Sequence, residues 1–219
     1  MKLAMNIRQL MLIAGAAAAL GGCTRHLSLV VQPSPAVTVE QMPSSAWRSI
    51  ATPADQASID RLAARWQAAR ALASRRFPSR LKAEGALLAA DGAVPLPQLT
   101  PGPYWCRLIR IGGKGGYVTA RPDRCDVAGD HQRQSLTKQD GASLPGGWLY
   151  SDDQPNRLIF LGATRLHQRD AAPGYGTDSS KDVIGVIERV GPFHWRFVIA
   201  GAQAPADEIV LYELFPALG

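Results

Sequence analysis

DVIGVIERVGPFHWRFVIA, residues 182–200, is the stretch on which the reading of the fold turns. Two runs rich in β-branched and aromatic residues flank Gly191, Pro192 and Phe193, the pattern of a β-hairpin closed by a three-residue loop. Such a loop sets Glu188 opposite Arg196, Val186 opposite Val198, Ile187 opposite Phe197 and Arg189 opposite Trp195. Side chains alternate between the two faces of a strand, so Glu188 and Arg196 share one face while Arg189 and Trp195 share the other. An ion pair across the ladder and a cation–π contact between Arg189 and Trp195 are the expected pins of the hairpin.

The same texture runs outward in both directions. Short β-rich segments near 104–112, 116–121, 124–128, 134–139, 147–151, 157–164, 182–190, 194–201 and 209–215 are separated by glycine-bearing turns, as in an antiparallel sheet of up-and-down connectivity. Ahead of them the pattern is helical. Thr52 is placed as an N-cap, with Pro53 at the first helical position and Asp55 at the third. Ile59, Leu62, Trp66, Ala69, Ala73 and Phe77 then recur at three- and four-residue steps, one apolar stripe that Pro78 terminates. A second short helix is expected over 81–90. The fold class is therefore α+β: an N-terminal helical segment, about 53–90, packed on a strongly curved antiparallel sheet or a small up-and-down β-barrel over 104–216.

Seven basic residues and no acid lie between Arg61 and Lys82. Arg61, Arg65 and Arg75 fall off the apolar stripe, which reads as a solvated helix face; the other reading is contact with anionic lipid. Across 219 residues the net charge is +6, too mild a basic balance for a nucleic-acid partner.

The N-terminus carries an address. Lys2 and Arg8 precede an apolar, alanine-rich run from Leu10 to Leu20, and Leu20, Gly21, Gly22 and Cys23 stand where a lipoprotein signal peptide is cut. The run is shorter than the roughly 20 apolar residues a spanning helix needs. The expected organisation is a signal peptide over 1–22, lipidation of Cys23, a proline-bearing tether over 23–45 and a single domain over 46–219. That places the protein in the cell envelope, facing the periplasm and anchored through lipid, with the outer membrane favoured because Thr24 rather than aspartate follows the cysteine. In an oxidising compartment Cys106 and Cys125 are expected to pair. They lack CxxC spacing and a histidine cluster that would make them zinc ligands.

Motifs for catalysis are not found. Gly112, Gly113, Lys114, Gly115 and Gly116 lack P-loop spacing and lead into another strand, so they read as a hairpin turn. His26, His131, His167 and His194 are scattered without metal-ligand spacing, and no GxSxG occurs. Asp152 and Asp153, followed by Gln154, Pro155 and Asn156, read as turn residues. The densest polar signal is the group Asp182, Glu188, Arg189, Arg196 and Glu213, in which Asp182 and Glu188 share strand parity and Glu213 lies one strand further on. On the inside of a barrel these charges would form a binding site; on its outside they would form a structural network.

The run YGTDSSKDVIGVIERVGPFHWRF (175–197), the closing YELFP (212–216), GPYWCRLIRIGG (102–113), CDV (125–127) and FLGA (160–163) together resemble the proteobacterial family catalogued as domain of unknown function 4893. The resemblance extends from about Trp47 to Pro216. It implies an exported protein with paired cysteines and supplies no catalytic residue. Lys181 stands where an arginine is expected before Asp182. The functional expectation is a non-enzymatic envelope lipoprotein that binds an envelope polymer, a small ligand or a protein partner, without cofactor or metal. The alternatives are an envelope hydrolase using Asp182, Glu188 or Glu213 with Arg189 or Arg196, and an inhibitor of envelope-attacking enzymes.

Overall fold

The structure, a computed structural model, describes residues 46–130 and 132–217. The signal peptide, Cys23 and the tether of the sequence reading lie outside the described residues.

Nine strands follow a helical segment: β1 (Gly102–Gly112), β2 (Gly116–Thr119), β3 (Asp123–Gly129), β4 (Gln134–Lys138), β5 (Pro145–Ser151), β6 (Arg157–Thr164), β7 (Asp182–Gly191), β8 (His194–Ile199) and β9 (Glu208–Pro216). From β3 to β9 each pairs with its neighbour in sequence, and β9 returns to pair antiparallel with β1 from Gly112↔Glu208 to Tyr104↔Pro216. The sheet is thus closed into an eight-stranded barrel, the second of the two architectures the sequence allowed. β2 and β3 share one edge of β1, β2 opposite Ile109–Gly112 and β3 opposite Gly102–Cys106. They act as one wall strand interrupted around Pro122, which has no N–H to give the ladder.

Period-two alternation sorts the strand residues into two cores. Tyr104, Cys106, Val127, Leu136, Leu149, Phe160, Ile187, Trp195, Phe197 and Leu214 fill the barrel. Side chains rather than a channel occupy a barrel of this size. Ile109, Ile111, Ile159, Leu161, Ile184, Val186, Val198, Ile209 and Leu211 point outward and are covered by the helices. Gly147 and Gly162 sit directly opposite one another in β5 and β6, and a Cβ on Gly162 would stand 2.2 Å from the Gly146 carbonyl oxygen. Only glycine permits that approach, which lets the wall bend sharply.

The helical layer comprises α1 (Ala46–Ile50), α2 (Pro53–Asp60), α3 (Leu62–Arg76) and α4 (Pro78–Ala83), then a 3₁₀ turn at Gly85–Leu87. The Thr52 hydroxyl accepts the Asp55 N–H, the N-cap read from sequence. The stripe is also as read: Ile59, Leu62, Trp66, Ala69 and Ala73 are buried. Three features differ. The expected single helix breaks at Arg61 into α2 and α3. Pro78 ends α3 and also opens α4, because a missing N–H is tolerated at a first helical position. The second helix lies over 78–83 rather than 81–90, and α1, too short to show a period, was not read at all.

Cys106 and Cys125 form a disulfide with Cα atoms 5.9 Å apart, joining β1 to β3 inside the barrel.

Candidate functional site

Strand register assembles a row of charge across the outer wall. Arg157 stands opposite Glu188, Glu188 opposite Arg196, Arg196 opposite Glu213, and Glu213 opposite Arg107. Five successive neighbours, on β6, β7, β8, β9 and β1, therefore alternate in sign, all at the outward parity of Ile159 and Ile111. Ion pairs form at alternate rungs and at both ends. Arg196 Nε donates to Glu188 at 2.7 Å, Arg107 Nε to Glu213 at 2.5 Å, and Arg157 Nε to Asp152 at 2.5 Å. Arg107 also forks onto Glu84, at the end of α4, at 2.9 and 2.6 Å.

Under the helices the row is structural. Arg196 is 2% exposed, lies over the Trp66 ring at 4.5 Å, and donates to the carbonyls of Leu87 and Ala89 at 3.0 and 2.6 Å. A buried guanidinium thereby fastens the helical layer to the wall. Asp152 does the same for α1, accepting the Trp47 indole N–H at 2.8 Å. It lies in the β5–β6 connection, as the sequence reading placed it, but its side chain is a buried anchor. Burial, the largest influence on Asp152, would raise its pKa, but the hydrogen bonds from Arg157 and Trp47 outweigh it and the net shift is downward.

At one end the row emerges from cover. Arg107, Glu213 and His194 line an open depression of about 630 Å³, rimmed by Pro122, Pro192, Phe193 and Phe215. His194 Nε2 lies 2.8 Å from Glu213 Oε1. Burial would raise the Glu213 pKa, and the hydrogen bonds from His194 and Arg107 bring it below the ordinary range. Glu84's hydrogen bonds raise the Arg107 pKa most, and Glu213 adds to them against the opposing effect of burial. Burial and the bond to Glu84 both raise the Tyr117 phenol. Phe193 is 68% exposed at φ +50°, a left-handed conformation at the tip of the β7–β8 turn, and Trp105, opposite Phe215, is also exposed.

The sequence-derived residues separate as follows. Glu188, Arg196 and Glu213 are adjacent. Asp182 shares their face but stands at the far end of β7, opposite Ala163, where it accepts the Gly176 N–H. Arg189 is opposite Trp195 as the register required, yet the expected cation–π contact is absent there. Trp195 donates its indole N–H to Pro97 at 3.1 Å, and Arg189 Nε donates to Gly191. Of the two hairpin arginines, the one that stacks on an aromatic ring is Arg196, over Trp66. Arg107, Glu84, Asp152 and Arg157 were missed; the one signal for Arg107 was a charge on the same face of its strand as the apolar Ile109 and Ile111.

Among the described residues no group of three His, Cys, Asp or Glu side chains could hold a metal ion, and no helix is long and apolar enough to cross a membrane. A family model described as Domain of unknown function (DUF4893) matches residues 47–210. No curated protein and no solved structure matches the chain.

Proposed function

The chain belongs to the DUF4893 family, and we propose that it is a cell-envelope lipoprotein whose barrel is a non-enzymatic binding module for an envelope polymer. The observation that carries this reading is the depression at the end of the charge row. It is open rather than enclosed, with exposed Phe193 and half-buried Phe215 beside His194, Glu213 and Arg107. Small-molecule sites enclose most of their ligand, whereas an open floor with aromatic faces and fixed polar groups suits a chain laid across it. Hydrolysis by Glu213 would need that carboxylate free to exchange a proton with substrate, and both its oxygens are committed to Arg107 and His194.

The envelope address rests on Leu20 to Cys23 following the basic start and apolar run. Labelling with a fatty-acid analogue tests it: wild-type protein takes the label and Cys23→Ala does not. Cosedimentation with purified peptidoglycan tests the binding surface. Phe193→Asn keeps a residue that tolerates positive φ and is expected to lower the bound fraction while leaving the melting temperature unchanged. Equal sedimentation of the two proteins, or none by either, overturns the polymer reading.

A further inference from the structure

α2 and α3 border a second crevice, of about 450 Å³, that shares no lining residue with the depression. Its charged lining is Arg61, Arg65 and Asp55, and its opposite wall is alanine and Gly201 from the turn after β8. We propose that this crevice is an oxyanion site, in which Arg61 and Arg65 receive the phosphate or carboxylate group of a ligand.

Arg65 was expected to face solvent, but it reaches back to the barrel and donates to the carbonyls of Ala200 and Ile199 at 2.9 and 2.6 Å. Those bonds hold the guanidinium in place and use two of its five N–H donors. They bring no negative charge. Arg107, Arg157 and Arg196 are also fixed against the wall, and each pairs with a carboxylate. Arg70, Arg165 and Arg189 also have only carbonyl partners, but Arg165 is closed off at 6% exposure and none of the three lines this crevice, whereas Arg65 opens onto it.

Arg61 lies one helical turn before Arg65, is exposed, and has no side-chain hydrogen bond or ion pair among the described residues. Burial lowers the Arg65 pKa, and the like charge of Arg61 lowers it further. Asp55 offsets only one of the two charges, so the lining keeps a net positive charge; its Oδ2 accepts from the Tyr175 and Thr52 hydroxyls, and it forms no ion pair with Arg61 or Arg65. Two guanidinium groups at helical spacing, one rigid and one free to close, present the forked donors that match an oxyanion. The alanine and glycine wall leaves room for a small group attached to it.

Titration calorimetry of the purified protein at constant ionic strength, with inorganic phosphate and separately with acetate, tests the site. Saturable binding of at least one is expected, and which one binds tells a phosphoryl from a carboxylate ligand. Arg61→Gln should weaken it about tenfold, or about 1.4 kcal/mol, with the melting temperature in anion-free buffer unchanged because Arg61 holds nothing else. Absence of saturable binding by either anion, an equal response to chloride, or full binding by Arg61→Gln overturns the proposal.

Discussion

Arg196 and Glu188 face each other across the β7–β8 ladder with Nε and Oε2 2.7 Å apart, and the pair is roofed by the 3₁₀ turn whose carbonyls Arg196 also binds. Their side chains are 2% and 18% exposed, so water screens this pair little. The hairpin pairing expected from sequence is therefore also a joint between the two layers of the fold.

Removing one partner of such a pair leaves a buried charge uncompensated. Glu188→Gln and Arg196→Leu are each expected to cost about 3 to 5 kcal/mol, more than the 0.2 to 1 kcal/mol typical of exposed pairs. Urea denaturation measures it. Arg196→Leu should be the more damaging, because the carbonyls of Leu87 and Ala89 lose their donor as well.

Acid is expected to destabilise the protein through Asp152 and Glu213. Both have folded-state pKa values below those of the unfolded chain, so the unfolded state takes up protons first as pH falls. Their contribution is complete above the unfolded carboxylate pKa of about 4 and disappears as pH falls through the lower folded values. Equilibrium unfolding from pH 6 downward should show a loss that Asp152→Asn makes shallower, on a lower starting stability.

Reduction of Cys106–Cys125 should lower stability by about 2 to 4 kcal/mol while leaving the barrel folded, because the link acts mainly on the unfolded ensemble and the ladder between β1 and β3 persists. Paired melts with and without reductant read the shift. Thiol titration of the denatured, unreduced protein should find neither cysteine free.

Gly112→Ala is expected to be destabilising by about 1 to 3 kcal/mol. Gly112 has φ +89°, and a Cβ there would stand 2.9 Å from Ala69 Cβ on α3 and 2.4 Å from the Asp207 carbonyl oxygen. Both are backbone-anchored, so relief requires α3 to move off the wall. Thermal unfolding of the variant beside Gly115→Ala, which meets only a Val118 methyl at 3.2 Å, separates this clash from turn flexibility.

Local pattern by itself determined the nine strands, the apolar stripe of α2 and α3, the Thr52 cap and the β7–β8 register, because each depends on residues a few positions apart. The disulfide was expected from the cysteine count together with the oxidising compartment that the N-terminal sequence suggests. Closure of the barrel was left open by the sequence, since it depends on β1 meeting β9 across about a hundred residues, and no local periodicity encodes that pairing. The charge row became visible only with closure: Arg107 meets Glu213 through the β1–β9 register, and Arg157 meets Glu188 across the long β6–β7 connection. The anchoring role of Asp152, beyond its place in the β5–β6 turn, was not legible because its partner Trp47 lies 105 positions away. Arg65 looked solvated because helical periodicity reports which side of a helix a residue occupies, not how far a long side chain reaches around it.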